Sequence, residues 1–267
     1  MFRIGQRKFA RSIHRNVGED VSVDVSEVDG VRSLHLGSNT IQSSMRVKAP
    51  YDLELRYTRG MMCYLLFSPE ARNLLLIGLG GGSIPKFVRH YLEDTRITAV
   101  EINPRVIEVA RSHFWLQPDD EMLEVVEGDG AAFVRAHPGE ADVLMLDAFA
   151  STGIAPELCS QDFYDECREA LAPDGLMIAN LWGSDKNFDV YLQRIEQSFE
   201  GRVLVMPTGW PGNILVFAFN RAPGDLRWST LRERARALED RYQMNFLEFI
   251  ERLRDSNAHS SNRLMLR

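Results

Sequence analysis

Apolar and polar positions alternate over Val21-Ser22-Val23-Asp24-Val25, the rhythm of a strand with one buried face. Asp29-Gly30 supplies a hairpin-type turn. Val31 to Leu36 resumes the strand pattern, and Asn39 to Ser43 begins another. Residues 18–50 therefore predict a small β-meander domain. After Pro50, Leu53 to Phe67 predicts a helix with Leu55, Met62 and Leu66 near one side. From Asn73 the rhythm becomes strand, helix, strand. Seven apolar runs predict strands: 73–78, 96–101, 123–128, 142–147, 175–181, 203–206 and 214–220. Helices are predicted over 84–92, from Pro104 onward, 161–171 and 188–199. Near-continuous apolar strands alternating with helices imply a parallel sheet covered on both faces. The last two strands have no helix between them, which predicts an antiparallel pair at the sheet edge. Residues 228–254 predict one amphipathic helix, with Leu231, Leu238, Tyr242, Phe246 and Phe249 on one side.

This divides the chain into a basic N-terminal extension (1–17), the β-meander (18–50), an α/β domain (51–255) and a flexible tail (256–267). The 267 residues are 45% hydrophobic and 26% charged, a balance that allows a full core. A formal net charge of -7 argues against a general nucleic-acid binder and points to a small-molecule partner. No apolar run approaches the ~20 residues needed to span a bilayer. Arg3, Arg7, Lys8, Arg11 and Arg15 lack the apolar core of a secretory signal. Cys63, Cys159 and Cys167 form no framework, which fits free thiols in a cytoplasmic protein. The six histidines are scattered and suggest no metal set.

In open α/β sheets, ligands sit beyond the carboxyl ends of the strands. Here the first strand ends in Gly78-Leu79-Gly80-Gly81-Gly82-Ser83, four glycines within five residues before a helix. Glycine permits a tight turn and a close ligand, and the following helix offers free N–H groups. The second strand ends in Glu101, placed to bind ribose hydroxyls. The third ends in Gly128-Asp129-Gly130 and the fourth in Asp147. A glycine turn and three acids at consecutive strand ends predict a nucleoside site, and 51–255 becomes a nucleoside-binding domain. Asp129 and the closing antiparallel pair favour an α/β, seven-stranded, mostly parallel, Rossmann-like sheet of the class I methyltransferase type over a dinucleotide fold. Trp182, after the fifth strand, is a candidate for lining an acceptor pocket.

Five segments in order carry a resemblance: Gly78-Leu79-Gly80-Gly81-Gly82-Ser83, Val100-Glu101-Ile102-Asn103, Gly128-Asp129-Gly130 with Phe133, the run from Asp142 to Asp147, and Gln161-Asp162-Phe163-Tyr164. Together they resemble the spermidine synthase family of polyamine aminopropyltransferases, over about residues 18–220. The resemblance implies binding of decarboxylated S-adenosylmethionine and transfer of its aminopropyl group to an amine acceptor, releasing methylthioadenosine. It implies no metal and no permanently bound cofactor. Gly78, Gly80 and Gly82 would shape the cofactor turn. Glu101 would hold the ribose, Ile102 would pack on adenine, and Asp129 would accept from the adenine amino group beside Gly130. Asp147 would face the aminopropyl amine or the attacking amine, with Tyr57 and Gln42 on the substrate side. A homodimer through the β-meander is also implied. The chain departs from the family pattern at Gly81 and Ala150, where acids are usual, and at Thr58 or Arg59. An arginine there would repel a polyamine. A glycine at 81 removes repulsion toward an α-carboxylate. Intact S-adenosylmethionine and methyl transfer are therefore an alternative, as is a catalytically impaired homologue that acts through partners.

Overall fold

A computed structural model describes residues 11–16, 22–38, 40–148, 153–209 and 212–266. The N-terminal alternation folds into a four-stranded antiparallel sheet in sequential order: β1 (Arg11–Asn16), β2 (Val23–Val28), β3 (Val31–Leu36) and β4 (Ile41–Arg46). The sheet thus begins at Arg11, inside the stretch that the sequence assigns to a basic extension. Strand β1 pairs with β2 through a register shift between Ser12 and His14. The helix expected over 53–67 is shorter. It is α1 (Arg56–Met61), continued by a 3-10 helix over Met62–Leu66.

The main sheet contains β5 (Asn73–Ile77), β6 (Arg96–Glu101), β7 (Leu123–Glu127), β8 (Ala141–Leu146), β9 (Leu171–Trp182), β10 (Val203–Pro207) and β11 (Asn213–Phe219). Its order is β10-β11-β9-β8-β5-β6-β7. Strand β11 runs antiparallel to both β9 and β10, so the expected closing pair is present, with the last strand inserted inside the edge. Side chains of a strand alternate between faces. Accordingly Leu74 and Leu76 enter one core, shared with the N-terminal sheet. Leu75 and Ile77 enter the opposite core.

Helices α2 (Ser83–Tyr91), α3 (Pro104–His113), α4 (Gly130–Ala136), α5 (Gln161–Ala170) and α6 (Phe188–Ser198) cover the two faces. Local capping explains several starts. Asn103 caps α3 by accepting from Arg105 N (3.0 Å), with Pro104 in its favoured first-turn place. Ser160 caps α5 by accepting from Phe163 N (3.1 Å). The expected C-terminal helix is broken in two, α7 (Trp228–Tyr242) and α8 (Phe246–Ser256). Gln243 adopts φ 54° and its N–H donates to Glu239 O (2.8 Å). A straight helix would run ~40 Å; the turn lets Leu231 and Phe249 bury in the same core. Residues beyond α8 pack back as well. Leu264 is fully buried, and Trp228 N donates to Asn262 O (3.0 Å). This segment is therefore packed rather than the free tail expected.

Lys86 of α2 joins the two sheets. Its fully buried Nζ donates to Phe114 O (2.7 Å) and lies 3.0 Å from Met45 Sδ of β4. Burial first, and Arg32 second, lower its pKa to about 7. Among the described residues, no helix is long and apolar enough to cross a membrane. All three cysteines are free and buried.

Candidate active site

The glycine turn is dictated by its neighbours. Gly78 adopts φ +96°, and a Cβ there would lie 2.4 Å from Asp147 O. Only glycine lets β5 and the segment after β8 come this close. Gly78 N donates to Val100 O (2.9 Å), and Asp147 N donates to Ile77 O (2.8 Å). The three strand ends are thus locked side by side. They open onto a cavity of about 800 Å³, a size suited to a small organic ligand.

Glu101 stands at the end of β6. Its carboxylate accepts from Leu79 N (3.0 Å) and Asn103 N (3.0 Å), bracing the glycine turn. Burial raises its pKa, opposed by those backbone donors. Ile102, the next residue, is 68% exposed and lines the cavity as a flat apolar surface. Asp129 also lines it and caps α4, with Oδ1 accepting from Ala132 N (2.8 Å). Gly130 is required because a Cβ would lie 2.4 Å from Ile77 Cγ2.

The remaining wall carries Asp147, Tyr57, Gln42 and Trp182. Asp147 is poorly solvated, and burial pushes its pKa up to about 7, against hydrogen bonds from Asn180 and Tyr57. Asn180 Nδ2 donates to Asp147 Oδ1 at 2.8 Å. Burial and the nearby Asp147 charge hold the Tyr57 phenol well above its ordinary range. Gln42 contributes a main-chain carbonyl, which accepts from Tyr57 OH (3.3 Å). Trp182, 37% exposed, closes β9 and faces Asn213 across the antiparallel ladder.

One cavity therefore gathers Gln42, Tyr57, Gly78, Gly80, Glu101, Ile102, Asp129, Gly130, Asp147 and Trp182. Gly82 is not on its wall. It precedes α2 at φ +69°, where a Cβ would press on Leu116 (3.0 Å), so glycine there serves the turn. Arg59 is not on the wall either; its guanidinium donates to Leu53 O. The like-charge obstacle expected near an amine is thereby removed. Arg56 does line the cavity, but it is paired with Glu248. Gly81 has no room for a side chain, since a Cβ would lie 2.8 Å from both Phe114 Cδ1 and Ser43 Oγ. The hydroxyls of Ser43 and Ser83 line the cavity beside it, 3.3 Å apart. Ala150 lies outside the described residues. Among those described, no group of three or more His, Cys, Asp or Glu is placed to hold a metal ion.

The amides of Asn180 and Asn213, and the two serines, were not singled out in the sequence as ligand or catalytic candidates. Asn180 did carry a signal: it is the one polar residue in the apolar run Leu176–Leu181, near the strand's carboxyl end.

Three comparisons bear on this geometry. The family model described as the spermine/spermidine synthase domain matches residues 54–218. A polyamine aminopropyltransferase of Chromobacterium violaceum is 41% identical over 97% of this chain and 99% of its own. Among solved structures, the spermidine synthase of Thermotoga maritima superposes with a TM-score of 0.69 at 23% identity, covering 94% of this chain and 85% of that one. The human methyltransferase-like protein 13, solved with SAH, gives 0.64 at 26% identity, over 71% and 93%.

Proposed function

The chain belongs to the spermine/spermidine synthase family, and on that premise we propose that it transfers an aminopropyl group from decarboxylated S-adenosylmethionine to an amine acceptor. The observation that carries this reading is the single cavity in which a glycine turn, Glu101, Ile102 and Asp129 form a nucleoside wall and Asp147 faces the same space. In this reading Glu101 holds the ribose hydroxyls, Ile102 packs on adenine, and Asp129 accepts from the adenine amino group. Tyr57, Gln42 and Trp182 border the acceptor.

The sulfonium is an activated leaving group, so the protein has mainly to align the reactants. The acceptor nitrogen's lone pair forms a bond to the carbon attached to sulfur. The carbon–sulfur bond breaks, and its electron pair stays on sulfur as the thioether of methylthioadenosine. The nitrogen loses a proton to Asp147, whose pKa of about 7 suits that transfer near neutral pH. No step uses a metal.

A second reading is favoured by one observation. Gly81 itself lies off the cavity wall, and the wall beside it carries the hydroxyls of Ser43 and Ser83, an environment tolerant of an α-carboxylate. S-adenosylmethionine and methyl transfer are then open to the same fold, the one shared with the human methyltransferase-like protein. The first reading extends to a cytoplasmic homodimer joined through the N-terminal sheet. Both extensions rest on family membership, and light scattering tests the second.

The decisive assay supplies decarboxylated S-adenosylmethionine with a panel of diamines and polyamines and follows methylthioadenosine. Release with at least one acceptor is expected, as is a fall in kcat/KM of about 10²–10⁴ in Asp147→Asn. S-adenosylhomocysteine formation from the carboxylated cofactor alone would establish the second reading. Failure to bind any adenosyl ligand by calorimetry would overturn both.

A further inference from the structure

Asp147 is held by a chain of two buried amides from different strands. Asn180 near the end of β9 is 3% exposed and Asn213 at the start of β11 is 7% exposed. Both reach the cavity wall. Asn213 Nδ2 donates to Asn180 Oδ1 at 3.0 Å, and Asn180 Nδ2 donates to Asp147 Oδ1 at 2.8 Å.

The direction of this chain is physically determined. An amide has one acceptor oxygen and one donor NH2, whereas an ionised carboxylate only accepts. Ionised Asp147 therefore takes the NH2 of Asn180, which leaves the Asn180 oxygen to accept from Asn213. The backbone that carries Asn213 is anchored in turn: the main-chain carbonyl of Asn213 accepts from Thr208 N (2.9 Å) and Thr208 Oγ1 (3.0 Å). The hairpin formed by β10 and β11 therefore sets the orientation of a group attached to β8.

Other charged groups of the cavity are engaged elsewhere. Glu101 serves the glycine turn, Asp129 caps α4, Glu54 pairs with Arg46, and Arg56 pairs with Glu248. Glu157 is exposed and makes no hydrogen bond to Asp147. From α1, Tyr57 stands near Asp147 as a neutral phenol whose hydroxyl donates to Gln42 O. The ionisation of Asp147 is thus governed by burial, by the nearby Tyr57 phenol and by the Asn180 amide, which itself bonds to Asn213.

We propose that Asn213 and Asn180 form a one-way amide relay of positioning residues that holds Asp147 as an oriented, ionised acceptor facing the cavity. The effect on turnover rests on Asp147 being the proton acceptor of the transfer reaction; the relay itself is a property of the free protein. Its loss removes a donor that favours the ionised form.

The test is a carbon-13 NMR titration of carboxyl-labelled aspartate in the full, ligand-free chain. Asp147→Asn identifies the Asp147 signal. In Asn180→Leu the titration midpoint should rise by about 1 pH unit. Asn213→Leu should move it in the same direction by a smaller amount, because a free Asn180 can flip its oxygen toward Asp147. Asn213→Ser, too short to reach Asn180, provides the same loss with less volume change. The acid limb of kcat/KM should follow the midpoint in each variant. An unchanged midpoint in folded Asn213→Leu or Asn213→Ser overturns the relay, even in an active transferase. A shifted midpoint in a chain without transferase activity upholds the relay and overturns the functional reading instead.

Discussion

Replacing Asp147 by asparagine should stabilise this protein at neutral pH while removing its proposed proton acceptor. Stability changes with pH according to the difference in protons bound by unfolded and native chains. Between the ordinary aspartate value of 3.8 and about 7, the native chain keeps the Asp147 proton and the unfolded chain has lost it. Stability therefore falls as pH rises through that window, and the full penalty stands above pH 7. Converted at ~1.4 kcal/mol per pH unit, the gap sets an upper bound of ~4 kcal/mol. Asp147 borders an open cavity where solvent relaxes the penalty, so about 1–3 kcal/mol is expected. Asparagine has the shape of the neutral acid and can keep the contact with Asn180. Urea unfolding of wild type and Asp147→Asn at pH 5, 6, 7 and 8 measures the effect, and the difference between the two cancels other titrating groups. The variant should lead by roughly a third of the full difference at pH 5, and the gap should grow until pH 7–8. Parallel curves, or a less stable variant at pH 8, would refute the assignment of a penalised carboxylate.

Two further substitutions test how the site is built. Gly78→Ala should cost about 2–4 kcal/mol in denaturant unfolding, through both a left-handed backbone and a clash with Asp147 O. Gly80→Ala should cost only ~1 kcal/mol, because its Cβ would stand 3.4 Å from Ser43 Cβ and incur backbone strain alone; equal costs would contradict the geometry. Lys86 has the opposite sign to Asp147. Between about 7 and its ordinary 10.5 the unfolded chain holds a proton that the native chain has released, so its contribution to stability rises with pH. Compared with Lys86→Met, wild type should gain about 1–2 kcal/mol between pH 7 and 9.5; a pH-independent difference would show that the buried amine stays charged.

Local physics made much of the architecture readable from the chain. Period-two alternation and continuous apolar runs identified the strands. The glycine turn and Pro104 marked helix entries, and the missing helix before β11 announced the antiparallel edge. Glycine and acids at successive strand ends located one wall of the cavity because sheet topology places those ends together. The chain could not show where long-range packing would override a local pattern. One amphipathic stripe became α7 and α8 because a turn at Gln243 buries both halves. Strand β1 formed because β2 offered an edge to pair with, although its own sequence reads as a basic arm. Gly81 announced a missing acid, but only the positions of Phe114 and Ser43 show that no side chain fits there. The sequence alone determined that Asp147 sits at a strand end. Its burial and its two amide partners, separated from it by 33 and 66 residues along the chain, were decided by tertiary structure, because a carboxylate's ionisation depends on everything folded around it.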